Sequence, residues 1–207
     1  MSRVRVAVLV SGGGTNLQAL IDAAARGQLP HVELALVLSN HKNAFALQRA
    51  ALAGIPTRVV TRRAAGSQEA FEAAIQTALE QAGIELIVLA GFMSILSAGF
   101  TDRWPERILN IHPSLLPAFG GPGCYGLHVH EMALARGVKL TGATVHFVNE
   151  VPDGGRILAQ KAVAVKDGDT PELLQRRVME QAEWILLPQT LERVAAERTM
   201  EREKADV

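Results

Sequence analysis

The chain has 207 residues, room for one sizeable α/β domain and little for a second. Basic and acidic residues balance at 21 each, so no whole-molecule field selects a nucleic acid or an anionic membrane as partner. One cysteine, Cys124, excludes an internal disulfide framework, and no apolar run reaches the ~20 residues that span a bilayer.

Val4 to Val10 is apolar on both faces, which predicts a strand buried on both sides, as in a parallel sheet. Ser11-Gly12-Gly13-Gly14-Thr15-Asn16 follows, and then Leu17, Leu20, Ile21 and Ala24 recur at helical spacing up to Gly27. Glu33 to Ser39 reads as a second strand, Ala44 to Ala53 as a helix and Thr57 to Thr61 as a short strand. A helix from near Ser67 presents Phe71, Ile75, Ala78 and Leu79 on one face and stops at Gly83; Leu86 to Ala90 is another apolar strand. This alternation predicts an α/β fold, a Rossmann-like and mostly parallel sheet with helices on both faces. Beyond it, Arg107 to His112 reads as a strand, Pro113 to Gly126 as turns, and Val129 to Arg136 as a helix. Thr144 to Val148 and Ile157 to Val165 read as strands flanking the turn Pro152-Asp153-Gly154-Gly155. Thr170-Pro171 starts a late helix expected to kink or restart at Pro188. With no repeat and no linker, one domain over residues 1–199 is expected, with 200–207 a frayed charged tail. The N-terminus enters the first strand without a signal-peptide pattern, and a cytoplasmic location is the expectation.

Gly12-Gly13-Gly14 between strand and helix fits either a plain tight turn or a phosphate cradle of backbone N–H groups at a helix start. A dinucleotide fingerprint fails, because Leu17 stands where the third glycine belongs and no acid ends the second strand. A Gly-Lys-Ser/Thr loop is absent too, so a monophosphate is the ligand left open. In Asn110-Ile111-His112-Pro113 the proline holds His112 extended, so Asn110 and His112 share one face at a strand's C-terminal end. Each also fits a structural role, as does Asp153 in its Pro-Asp-Gly turn; the combination carries the signal. His128 and His130 lie two apart and so on different faces of a helix, which argues against a metal site. His146 reads as structural or supporting, and His31 and His41 carry no pattern.

Ser11-Gly12-Gly13-Gly14-Thr15-Asn16-Leu17, Ala90-Gly91-Phe92-Met93, Asn110-Ile111-His112-Pro113-Ser114-Leu115-Leu116-Pro117, and Val145-His146-Phe147-Val148 with Asp153-Gly154-Gly155 occur in that order. The series resembles the folate-dependent formyltransferases and, through its N-terminal glycine loop, their glycinamide ribonucleotide branch, over about residues 4 to 190. The resemblance implies Asn110, His112 and Asp153 as the catalytic set, and the Gly12, Gly13, Gly14, Thr15 and Asn16 backbone as holder of a substrate phosphate. Glu183 would face ribose hydroxyls. Met93, Ser94, Ile95 and Leu96, with the loop beginning Asn149-Glu150, would hold the folate. It further implies 10-formyltetrahydrofolate as co-substrate, no metal, glycinamide ribonucleotide as acceptor, and a monomer or homodimer without nucleic-acid or membrane partners. Departures are Ser94 where many relatives carry Arg, Trp184 where His is usual, Arg156 where Pro is common, and a long Gly120 to Gly126 stretch like that of formyltetrahydrofolate hydrolases.

The expected chemistry has Asn110, and His112 if protonated, donating to the oxyanion formed when an amine attacks the formyl carbon. Asp153 near His112 is expected to raise the imidazole pKa and to move the amine's proton through a water. Hydrolysis of the same folate, or a nucleotide-binding module without turnover, are the rival readings.

Overall fold

The computed structural model describes residues 3–205. Its centre is a seven-stranded sheet in the order β3-β2-β1-β4-β5-β6-β7. The strands are β1 Val4–Val10, β2 Val32–Ser39, β3 Thr57–Val59, β4 Leu86–Leu89, β5 Ile108–His112, β6 Leu140–Phe147 and β7 Ile157–Ala164. β1 to β5 run parallel, and β6 and β7 add an antiparallel edge. The α/β architecture expected of the sequence is thus the one observed.

Along β1 the side chains alternate between two cores, as a pleated strand requires. Val4, Val6, Val8 and Val10 pack with α1 (Thr15–Ala25), α2 (Phe45–Leu52), α6 (Leu127–Arg136), α7 (Pro171–Val178) and α8 (Trp184–Ala205) through residues such as Leu17, Leu20, Ala46, Ala133, Leu174 and Leu187. Ala7 and Leu9 point the other way, onto Phe71, Ile75 and Leu79 of α4 (Gln68–Gln81) and Phe100 of α5 (Ala98–Thr101). Both faces being covered explains why the central strands carry uninterrupted apolar runs.

Several boundaries differ from the expectation. β6 begins at Leu140, ahead of Thr144, because Leu140 to Ala143 already pair with β7; Thr141 and Gly142 interrupt the apolar pattern there while staying buried. The short helices α3 (Arg62–Ala65) and α5 were not expected; each is capped by a hydroxyl, Thr61 and Ser97, that accepts from a backbone N–H three residues on. Thr170 caps α7 as expected. Pro188 does not break the late helix. The irregularity is a π-helical turn, Met179–Glu183, one turn earlier, and Pro188 sits near the start of α8, where its missing N–H concerns only the Trp184 carbonyl. α8 continues to Ala205, so the charged stretch expected to fray from 200 is helical that far, with Arg202 paired to Glu85; 206–207 lie outside the described residues. Among the described residues no helix is long and apolar enough to cross a membrane.

Candidate active site

In this strand order the chain reverses direction of assembly between β1 and β4, and open sheets of this kind bind ligands beyond the strand C-termini at that point. A cavity of about 660 Å³ opens there. β1 leads into Asn16, β4 into Gly91 to Ile95, and β5 ends in Asn110 and His112; Asp153 closes the far wall and Glu183 the side next to Asn16.

Asn110, His112 and Asp153 do converge, and they do so around a fourth residue, His146, which stands opposite Asn110 in the β5–β6 ladder. His146 Nδ1 lies 2.8 Å from the Phe147 carbonyl, which takes its N–H and leaves Nε2 as an acceptor. Asn110 Nδ2 sits 3.1 Å from that Nε2, so one amide N–H is committed and the other, with Oδ1, is free for the cavity. Asp153 bridges the two imidazoles, Oδ1 at 3.5 Å from His146 Nε2 and Oδ2 at 3.5 Å from His112 Nδ1. These are electrostatic contacts rather than short hydrogen bonds. The close bond to the carboxylate comes from the backbone N–H of Gly121, at 2.9 Å. Asp153 has φ 55°, a left-handed backbone that Asp tolerates better than most residues.

The electrostatics depart from the expectation for His112. Burial lowers its pKa below 6.5 and outweighs Asp153 and the Phe119 carbonyl, both of which act to raise it; His146 adds to the lowering. The ring is only 4% exposed, so water does little to solvate a charge there. Its Nε2 is also engaged, 2.8 Å from the Phe119 carbonyl. Burial therefore favours the neutral imidazole, whose Nδ1 lies 3.5 Å from Asp153 Oδ2. For Asp153, burial pushes the carboxyl up, but its contact with His146, the Gly121 N–H and the proximity of His112 together hold it below its ordinary value.

At the other end, Asn16 Nδ2 donates to Glu183 Oε2 at 2.6 Å. Glu183 is buried, and burial raises its carboxyl pKa to about 7 against the lowering effect of Asn16. The glycine loop splits by role. Gly14 has φ 72°, and a Cβ there would stand 2.5 Å from the Ala46 Cβ, so glycine at this position is demanded by backbone and packing. Gly12 and Gly13 are exposed, with open space where a Cβ would be.

Met93, Ser94 and Ile95 line the cavity, whereas Leu96 is buried in the core beneath. Their loop is tied to α4 by a polar cluster that the sequence reading passed over. Buried Glu72 accepts from the Ser97 backbone N–H at 2.7 Å and from its hydroxyl at 2.5 Å, and Gln68 Nε2 donates to the Ile95 carbonyl at 3.1 Å. Asn149 and Glu150 are exposed and line no part of this cavity; Asn149 Oδ1 instead accepts from Val151 N–H within the loop. Thr15 faces a neighbouring cavity with Trp184, and Arg156 lies outside, paired with Glu106 and stacked on Phe147.

Two further histidines acquire significance. His128 is exposed and pairs with Glu131, while His130 is fully buried against the cavity with no partner for either ring nitrogen; burial, then His112, lowers its pKa to about 4. The two rings fall on different faces of α6, and it is His130 that faces the cavity. His146 was legible only as a strand residue, because the ladder register that sets it against Asn110 is not written in either segment alone. Among the described residues no three His, Cys, Asp or Glu side chains are grouped to hold a metal ion.

The formyl transferase family profile matches residues 4–191, and the chain belongs to that family. It is 48% identical over 195 residues to the trifunctional purine biosynthetic protein adenosine-3 of Gallus gallus, covering 94% of this chain but 19% of that protein's length. It is 43% identical to the phosphoribosylglycinamide formyltransferase of Haemophilus influenzae, covering 86% of this chain and 81% of the relative. Among solved structures, the phosphoribosylglycinamide formyltransferase of Brucella melitensis superimposes with a TM-score of 0.86 at 47% identity, over 94% of this chain and 97% of that one. Glycinamide ribonucleotide transformylase 1 of Symbiobacterium toebii does so with a TM-score of 0.88 at 41% identity, over 95% and 89%.

Proposed function

We propose that the chain transfers the formyl group of 10-formyltetrahydrofolate to the amine of glycinamide ribonucleotide, giving formylglycinamide ribonucleotide and tetrahydrofolate in purine synthesis. The observation that carries the reading is one cavity with Asn110, His112 and Asp153 at one end and the Asn16–Glu183 pair beside the glycine loop at the other. The names of its relatives agree with it. In this reading the uncommitted Asn110 N–H faces the oxyanion that forms as the amine adds to the formyl carbon. A donor so aimed is worth roughly 3–4 kcal/mol to the barrier. Asp153 receives the proton that the amine nitrogen sheds. His112 Nδ1, 3.5 Å away, shares it, so positive charge arises on the ring only once the oxyanion exists. The proton then returns to N10 as the carbon–N10 bond breaks. Such positioned proton transfer contributes roughly 10²–10⁴-fold. Asn16 and the Gly12 to Asn16 backbone hold the substrate's phosphate end, Glu183 meets the ribose hydroxyls, and Met93 to Ile95 flank the pterin.

The test is to mix the purified chain with 10-formyltetrahydrofolate and follow tetrahydrofolate release with and without glycinamide ribonucleotide. Release that requires the nucleotide, with formylated product, supports the transferase. Release without any amine replaces it with a hydrolase, and bound ligands without release leave a binding module.

A further inference from the structure

Three successive carbonyls of the glycine loop are tied back to the helices behind it. Gly12 O accepts from the Ala46 backbone N–H at 3.1 Å, Gly13 O from Arg49 Nε at 2.8 Å, and Gly14 O from the Gln18 backbone N–H at 2.9 Å. In a trans peptide the carbonyl and the following N–H point in opposite directions. The N–H groups of Gly13, Gly14 and Thr15 are therefore turned away from these partners, and among the described residues none of them meets a protein acceptor. The three ties differ in kind. Gly12 and Gly14 are held by backbone groups of α2 and α1, whereas Gly13 is held by a side chain. The Gly13–Gly14 peptide also has glycine at both ends, so no Cβ opposes its rotation, and Gly13 has open space around it. Arg49 is itself held in place. Its Nη1 donates to Gln18 Oε1 at 2.9 Å, Gln18 Nε2 donates to Asp22 Oδ1 at 2.8 Å, and the guanidinium lies 4.9 Å from the centre of the Phe45 ring.

We infer that Arg49 is a positioning residue for the phosphate of the acceptor substrate, an inference that rests on the formyl-transfer function and the phosphate-holding loop above. By gripping the Gly13 carbonyl it locks the one peptide of the loop that is free to flip, and so keeps the Gly14 N–H aimed outward beside those of Gly13 and Thr15. Without that grip the Gly13–Gly14 peptide samples both orientations, and the phosphate must bear the cost of ordering it on binding. The phosphate does not react. Its contacts are made equally in the ground state and the transition state, so a loosened loop weakens binding of the nucleotide and leaves the chemical step alone. A surface arginine that merely packs on Phe45 would affect stability and show no dependence on the phosphate.

The test is steady-state kinetics of the whole chain with two acceptors, glycinamide ribonucleotide and glycinamide riboside, which lacks the phosphate. Arg49→Met keeps the side-chain stem on Phe45 and removes the donors. Its KM for the ribonucleotide is expected to rise about five- to fiftyfold, the scale of one charge-assisted hydrogen bond. Its kcat, its KM for the folate, and its kcat/KM for the riboside stay within about twofold of the natural chain. Arg49→Gln, whose amide is too short to reach the Gly13 carbonyl, is a second variant expected to show the same split. The rise in KM persists in about 0.5 M KCl, because the orientation of a peptide, unlike the field of a distant charge, is not screened. An unchanged KM for the ribonucleotide, equal losses with both acceptors, or a rise that disappears in salt overturns the inference and leaves formyl transfer standing. A natural chain that handles the two acceptors alike removes the loop's phosphate role and the inference with it. No product from either acceptor removes the formyl-transfer reading itself.

Discussion

The backbone N–H of Gly121 donates to Asp153 Oδ2 at 2.9 Å, joining the long Gly120 to Gly126 stretch to the carboxylate at the centre of the site. That stretch also lines the cavity, through Gly121 to Gly126. It is therefore part of the cavity wall and a support for Asp153, and its composition bears on that carboxylate directly.

Asp153→Asn keeps the shape of the side chain and removes its charge and its proton-accepting capacity. Turnover is expected to fall by about 10²–10⁴-fold. The acidic limb of the rate–pH profile should vanish with it, since the carboxyl that titrates below its ordinary value is gone. Steady-state kinetics from pH 5 to 9 check this; near-normal turnover would exclude Asp153 as the proton acceptor.

Glu183 gives a pH-dependent stability of defined sign. Its folded pKa, about 7, lies above the ordinary 4.5, so the protonated form is favoured by folding. The associated stability is fully present below 4.5 and lost as pH rises through 7. Glu183→Gln cannot ionise, so its stability relative to the natural chain should climb across that window by about 3 kcal/mol and then level off. Urea unfolding at pH 5 and pH 8 measures the difference; a gap that is flat with pH contradicts the buried carboxyl.

His130 titrates in the opposite sense. Its folded pKa is about 4 against an ordinary 6.5, so the neutral ring is favoured by folding. The stability this confers is complete above 6.5 and is lost as pH falls toward 4. His130→Leu should be no less stable at pH 7, since it also removes two unpartnered nitrogens, and should resist acid better by about 2–3 kcal/mol. Acid titration followed by circular dichroism distinguishes the two proteins.

The glycine loop is separable by substitution. Gly14→Ala meets both a left-handed backbone and Ala46, and should cost about 2–5 kcal/mol of stability. Gly12→Ala meets nothing within 4 Å and should leave stability within about 0.5 kcal/mol, while raising the KM for a phosphorylated substrate. Thermal melts paired with kinetics test the split. Equal effects of the two changes on stability would refute it.

Much of the architecture was legible in the sequence because buried parallel strands announce themselves: Val4 to Val10 and Leu86 to Ala90 have no polar face to obscure them. The strand order was not legible, and with it went the placement of His146, whose meaning comes from facing Asn110 across a ladder. Asn110 and His112 were readable because a following proline fixes their geometry locally. The protonation of His112 was not: its pairing with Asp153 was an implication of the family resemblance, whereas the depth of burial that overrides that carboxylate depends on the whole fold. Glu72 escaped for the same reason, as a helix acid looks solvated until Ser97 is brought over it.

The π-helical turn at Met179–Glu183 has a consequence for rotation. It accommodates an additional residue in one turn, and each residue of an α-helix advances the side-chain direction by about 100°. Because α7 and α8 are both pinned to the sheet, through Leu174 and Leu187, the turn acts as a phase coupler between two helical segments that regular winding would leave out of step. Removing one residue from it would straighten the hydrogen-bond ladder and swing Glu183 about a quarter-turn away from Asn16, so the less regular helix is the one that keeps the polar end of the cavity assembled.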